Sequence, residues 1–113
     1  MKRKASFYLE LLPGTLDMLV LRALARQPSH GYAIAQHIQR VSEDALKIGE
    51  GSLYPALQRL LLNGWVKAEW GTSETNRRVR FYRITPAGRR QLATEADNFH
   101  FLIHAIARVM ERA

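Results

Sequence analysis

The sequence predicts a mainly α fold with a small β-hairpin, and three observations carry that prediction. Apolar residues recur at helical spacing in three successive segments between Leu16 and Leu61. Two runs rich in aromatic and branched residues follow, Trp65 to Trp70 and Val79 to Ile84, on either side of the turn-forming stretch Gly71 to Asn76. The chain then passes through Thr85-Pro86 into a long segment that keeps one helical period almost to its end.

Pro13-Gly14 reads as a break, with Thr15 placed to cap a first helix from Leu16 to Arg26. Leu16, Met18, Leu19, Val20, Leu21, Ala23 and Leu24 make that helix apolar almost all round, so it needs burial on more than one side. Gln27-Pro28-Ser29 interrupts the pattern. From His30 onward, Tyr32, Ile34, Ala35, Ile38 and Val41 define a second, amphipathic helix, with Gln36, Gln39 and Arg40 on its other faces. Ser42 to Lys47 is turn-like, Ile48 suits a very short strand, and Gly49-Glu50-Gly51 permits a tight reversal.

In the third helix Leu53, Leu57, Leu60 and Leu61 share a core face. The opposite arc carries Ser52, Pro55, Gln58, Arg59 and Leu62, with Tyr54 on its flank. Proline is tolerated where its missing N–H has no helical partner, which predicts a helix start near Ser52. Asn63-Gly64 supplies the stop. In the hairpin that follows, alternation sends one of Phe81 and Tyr82 into the core, while Trp65 and Trp70 anchor the sheet, Trp70 standing where it could also line a pocket. From Arg77 to Arg90 there are six arginines and no carboxylate, the strongest local positive field in the chain.

Thr85-Pro86 combines a capping hydroxyl with proline at the first helical position. Beyond it Leu92, Ala96, Phe99, Ile103, Ile106 and Met110 are spaced 4, 3, 4, 3, 4, the seam period of a coiled coil. Leu102, Ala105 and Val109 widen the stripe, which predicts pairing of two copies along this helix.

Three helices, a two-stranded wing and a terminal arm describe a winged helix-turn-helix with a long C-terminal dimerisation helix. Residues 1–85, including the basic arm Met1–Lys4, form the expected DNA-binding domain, and residues 86–113 the dimerisation helix. A chain of 113 residues with 47% hydrophobic content has room for one modest core, and a formal charge of +7 favours a polyanionic partner. The absence of cysteine excludes disulfides, thiolate metal sites and thiol nucleophiles, and fits a reducing, cytoplasmic setting. The uncharged stretch from Asn98 to Ala107 is about half the length of a spanning helix, so a soluble chain with no membrane partner is expected.

The predicted interface follows from side-chain chemistry. Gln58 can bond adenine bidentately and Arg59 guanine, Ser52 and Tyr54 suit phosphate or base-edge hydrogen bonds, and Arg77, Arg78 and Arg80 suit phosphate. Two-fold symmetry of a dimer predicts half-sites roughly 10 to 21 base pairs apart. Three competing readings carry less. Ser52 as a nucleophile lacks the G-x-S-x-G elbow and an adjacent acid and histidine, so no catalytic residue and no cofactor are expected. His100 and His104 stand four apart, as in a metal site, but no third ligand lies near them within the chain, so no metal is expected. His30 reads as structural, and nothing assigns His37 a role. A winged helix used purely for protein interaction would leave the arginine cluster without a purpose.

The strings HGYAIAQHI (His30 to Ile38), GSLYPALQRL (Gly51 to Leu60), NGWVKAEW (Asn63 to Trp70) and RFYRITPAGRRQL (Arg80 to Leu92) resemble consecutive signatures of the PadR-like transcriptional regulators, and LPGTLDMLVLRAL (Leu12 to Leu24) is similar to that family's first helix. The resemblance implies a homodimeric repressor on an inverted-repeat, double-stranded DNA operator. It maps the contact surface onto Ser52, Tyr54, Pro55, Gln58, Arg59 and the wing arginines. It also implies, as in some members, a small aromatic effector near the dimer interface that releases the DNA. Here the arm is a single helix, which leaves less protein to wall such a cavity.

Overall fold

A computed structural model describes residues 7–8 and 13–112; the basic arm Met1–Lys4 lies outside them. The element order is β1 (Phe7–Tyr8), α1 (Pro13–Arg26), β2 (Ser29–His30), α2 (Gly31–Val41), β3 (Leu46–Lys47), α3 (Glu50–Leu62), β4 (Val66–Thr72), β5 (Arg78–Ile84) and α4 (Pro86–Arg112). The fold is mainly helical, as expected.

The core forms around α1, which packs on α2, α3, β5 and α4. Leu16, Val20, Leu21, Ala23 and Leu24 are all buried there, so the nearly continuous apolar surface of α1 finds cover on several sides. Leu53, Leu57 and Leu60 are buried from α3, joined by Ala56, which lets neighbouring backbone approach; Leu61 packs at the edge. Tyr82 and Ile84 contribute from β5 and Val66 from β4.

Helix α1 begins at Pro13, three residues before the predicted start, so Thr15 lies inside the first turn and does not cap it. Proline at a first helical position loses no hydrogen bond, and the expected break is instead the helix's beginning. Helix α3 likewise starts early, at Glu50 with Gly49 as cap, which places Pro55 in the second turn and leaves the exposed Gly51 carbonyl without its helical donor. Ile48 is not in a strand. The short strand is Leu46–Lys47, which pairs in parallel with Phe7–Tyr8.

The C-terminus of α3 closes as the sequence predicts. Gly64 adopts φ +75°, its N–H donates to the Leu61 carbonyl, and the Trp65 N–H donates to the Leu60 carbonyl, each at 3.0 Å. The wing is longer than predicted, because Gly71 and Thr72 remain in strand opposite Val79 and Arg78. Asn76, at φ 63°, turns the chain back between them. The expected two-stranded wing also gains a third strand. Ser29 pairs with Tyr82 and His30 with Phe81, giving an antiparallel sheet in the order β2-β5-β4.

Thr85 joins the wing to α4. Its N–H donates to the Trp65 carbonyl, its hydroxyl donates to the Gly64 carbonyl at 2.8 Å, and that oxygen accepts the Gly88 N–H at 3.0 Å, so the predicted N-cap is present. A Cβ on Gly88 would collide with the Trp65 carbonyl oxygen. Leu92, one turn on, packs against the core of its own chain. It is therefore at least partly an intramolecular residue, and the expected seam is free of the globular body only from Phe99 onward.

Candidate nucleic-acid interface

The candidate interface draws on three pieces: the outer face of α3, the N-terminus of α2 and the wing. On α3, Tyr54, Pro55, Gln58, Arg59 and Leu62 are exposed and Ser52 is half-buried, because the leucines at i, i+4 and i+7 turn the opposite face inward. Gln58 makes no side-chain hydrogen bond among the described residues. Both its donor and its acceptor are therefore free to face an adenine edge.

Arg59 is differently placed from what the sequence suggests. Its Nη2 donates to Asp17 Oδ1 at 2.7 Å and its Nε donates to Asp17 Oδ2 at 3.2 Å, a bidentate pair that ties α3 to the second turn of α1. That hydrogen bond raises the pKa of Arg59 further, so its charge is permanent. The guanidinium retains one fork, Nη1 with Nη2, for any further acceptor. Ser52 lies in the first turn of α3 and bonds to no histidine or carboxylate among the described residues.

Tyr54 leans from α3 onto the start of α2. Gly31 is buried beneath it, and a Cβ there would stand 2.7 Å from the phenolic oxygen. A side chain at the first position of α2 would push against the tyrosine ring, a close approach that no local pattern announces. Burial raises the Tyr54 pKa, with smaller contributions from Glu50 and Tyr82, so the phenol keeps its proton and remains a donor. His30 precedes Gly31 as the N-cap of α2. Its Nδ1 accepts the Ala33 N–H at 3.3 Å, and its ring meets Phe81 edge-on at 5.6 Å between centroids. The structural role expected for His30 is present, and pairing across strands β2 and β5 supplies the contact with Phe81.

Between these elements lies an open cleft of about 970 Å³, walled by His30, Gly31 and Tyr32 at the head of α2, by Tyr54, and by the wing through Thr72, Arg77, Arg80 and Phe81. Trp70 is not among its walls. Among the described residues, Glu74 is the one carboxylate lining it.

Register divides the wing into two faces. Val66, Ala68 and Trp70 share a face with Ile84, Tyr82 and Arg80, and Arg78 is next on that side. Lys67, Glu69, Phe81 and Arg83 lie on the other. There Arg83 Nη2 donates to Glu69 Oε2 at 2.9 Å, which offsets its charge. Arg77, Arg78 and Arg80 form no ion pair among the described residues, so together with Lys67 they carry the unpaired positive charge of the wing. The Arg78 guanidinium lies over the Trp70 ring at 4.5 Å and that of Arg80 at 5.9 Å from the Tyr82 ring. Tyr82 is the core aromatic, Phe81 is half-buried, and Trp70 is 58% exposed, so Trp65 packs against the core while Trp70 does not.

On α4, Phe99, Ile103, Ile106 and Met110 are exposed, with Leu102 and Val109 beside them. His104 Nδ1 donates to the His100 carbonyl at 2.9 Å, and no group of three or more histidines and carboxylates gathers in metal-binding geometry among the described residues. Nor is any described helix long and apolar enough to cross a membrane.

A three-helix core with an outward third helix, a three-stranded sheet extended as a wing and a protruding last helix define the winged helix-turn-helix class. The chain belongs to the transcriptional regulator PadR-like family, whose model matches residues 20–94. It is 44% identical over 97 residues to an uncharacterized 37.1 kDa protein in transposon TN4556 of Streptomyces fradiae; the match covers 86% of this chain and 26% of that protein, so the chain spans about a quarter of that relative. Among solved structures it resembles a transcriptional regulator from Clostridium thermocellum, with TM-score 0.79, 30% identity and coverage of 88% and 96% of the two chains. A PadR-family regulator from Eggerthella lenta gives TM-score 0.75, 32% identity and coverage of 93% and 89%. The family is one of transcriptional regulators, not an enzyme class.

Proposed function

We propose that this protein is a sequence-specific, double-stranded DNA-binding transcriptional regulator that acts as a homodimeric repressor on an inverted-repeat operator. One observation carries the reading: Tyr54 of α3 and Arg77 and Arg80 of the wing line one open cleft, a protonated phenol beside arginines that form no ion pair among the described residues, while Gln58 stands exposed on the same helix as Tyr54. Such a surface fits a groove edge between two phosphate strands.

In this reading Gln58 reads adenine, while Ser52 and Tyr54 bond phosphate or a base edge and Pro55 lies against the groove. Arg77, Arg78 and Arg80 hold phosphate. Arg59 reaches guanine only through the fork that Asp17 leaves free. The second copy is supported by the apolar stripe along the far half of α4, where Met110 is 73% exposed; an unpartnered stripe of that length would remain in water.

Selection of bound duplexes from a random pool tests the proposal. An enriched palindrome with half-sites roughly 10 to 21 base pairs apart is expected. In the same assay Gln58→Ala relaxes preference at one position in each half-site, by about 1 to 3 kcal/mol. A pool that stays random after selection refutes sequence-specific binding, and an unchanged profile removes Gln58 from the reading set.

A further inference from the structure

Trp70 is the one large aromatic of the wing that neither the core nor the cleft uses. It is more than half exposed on β4, although burying a tryptophan is among the most favourable outcomes open to a small fold. Arg80 lies directly across from it on β5, and Arg78 lies diagonally, with its guanidinium 4.5 Å from the ring centroid. Two arginines two apart on one strand face repel each other and would ordinarily splay into solvent. The Trp70 face attracts the Arg78 cation, whereas the Arg80 guanidinium lies 5.9 Å from the Tyr82 ring.

These three side chains share the sheet face of Tyr82, which together with Tyr54 of α3 lines the cleft. The stacked arginine stands two residues along β5 from Arg80, which lines the cleft, and its charge has no carboxylate to offset it among the described residues.

We propose that Trp70 is a positioning residue for duplex DNA binding: its ring holds the Arg78 guanidinium extended and pre-oriented for a backbone phosphate. The inference rests on the DNA-binding reading and deepens it. A flexible arginine loses rotamer freedom when it grips a phosphate, whereas one already stacked has lost much of it beforehand. The hydrogen-bonding edges of a stacked guanidinium stay open, because only its face meets the ring.

The test is a double-mutant cycle on the full chain, with a duplex selected by the wild-type protein as probe. Trp70→Leu should weaken binding about three- to tenfold, the range of an exposed to partly desolvated cation–π contact. Trp70→Phe should restore most of the loss. Arg78→Ala should reduce the slope of log affinity against log salt by about one unit. Adding Trp70→Leu to Arg78→Ala should then cost nothing more. Thermal melting of each variant separates binding from folding. A Trp70→Leu protein that binds as the wild type does, or one whose loss persists in full without Arg78, overturns the positioning role. A wild-type chain that selects and binds no duplex overturns the DNA-binding reading itself, so the two failures are distinguishable.

Discussion

Gly31→Ala should impair DNA binding while leaving the fold standing. The added methyl would sit 2.7 Å from Tyr54 Oη, 3.0 Å from Cζ and 3.1 Å from Cε1, about 0.7 Å inside the 3.4 Å at which ordinary contact begins for the oxygen. The backbone of α2 is anchored by the buried Ile34 and Ile38, so the tyrosine ring is the part that moves. Tyr54 is 48% exposed and can swing away without opening the core. Alanine also favours a helix over glycine, by up to about 1 kcal/mol, which offsets part of any strain. The stability change should therefore stay within about 1 kcal/mol. A phenolic hydroxyl displaced by several tenths of an ångström falls outside the narrow range of a good hydrogen bond. Losing one such bond costs about 0.5 to 1.5 kcal/mol, or roughly two- to twelvefold in affinity. Fluorescence anisotropy with the selected duplex, read beside a thermal melt, measures both quantities. In a Tyr54→Phe background the same substitution should cost clearly less. Unchanged affinity in Gly31→Ala, or an equal loss in both backgrounds, would refute the argument that glycine is there to seat Tyr54.

Three other predictions address the scaffold. Gly88→Ala drives a methyl into the Trp65 carbonyl and to 2.8 Å from Ile84 Cγ1; both neighbours are held by the sheet, so chemical denaturation should reveal a loss of about 3 kcal/mol or more. Ile106→Asp puts a charge in the middle of the exposed α4 stripe, and sedimentation should find monomer for the variant and the proposed dimer for the wild type, with the melt of the globular body little changed. His37 has its pKa lowered by burial first, then by Arg26 and Arg40. The unfolded chain consequently takes up a proton near pH 6.5 that the folded chain resists, so its contribution is intact above that pH and is lost on acidification. His37→Gln should flatten the acid limb of a stability–pH curve between about pH 6.5 and 5.

The contrast between Gln58 and Arg59 shows how far the candidate site was legible. Both stand at outward positions of a helix whose core face is spelled out by Leu53, Leu57 and Leu60, so their exposure follows from a 3.6-residue period. The chemistry of Gln58 then needs nothing else. That of Arg59 depends on Asp17, 42 residues earlier, and no periodicity links the two. Leu92 gives a related lesson. It fits the seam spacing of α4 as well as Phe99 does, yet one packs against the core of its own chain and the other is exposed, a difference that the spacing does not contain.

Local order, such as the Thr85-Pro86 helix start and the Gly64 stop, was written in the sequence, because each is decided by hydrogen bonds and dihedrals within a few residues. So was the mainly helical class, since an apolar period selects the element that can bury it. Pairing at a distance was decided only in three dimensions. Strand β2 is two residues long and has no period of its own; it exists because β5 offers Ser29 and His30 a free edge. The seat of Tyr54 on Gly31, the Asp17–Arg59 pair and the Arg78–Trp70 stack arise in the same way, from partners that meet only after the helices and the wing have packed.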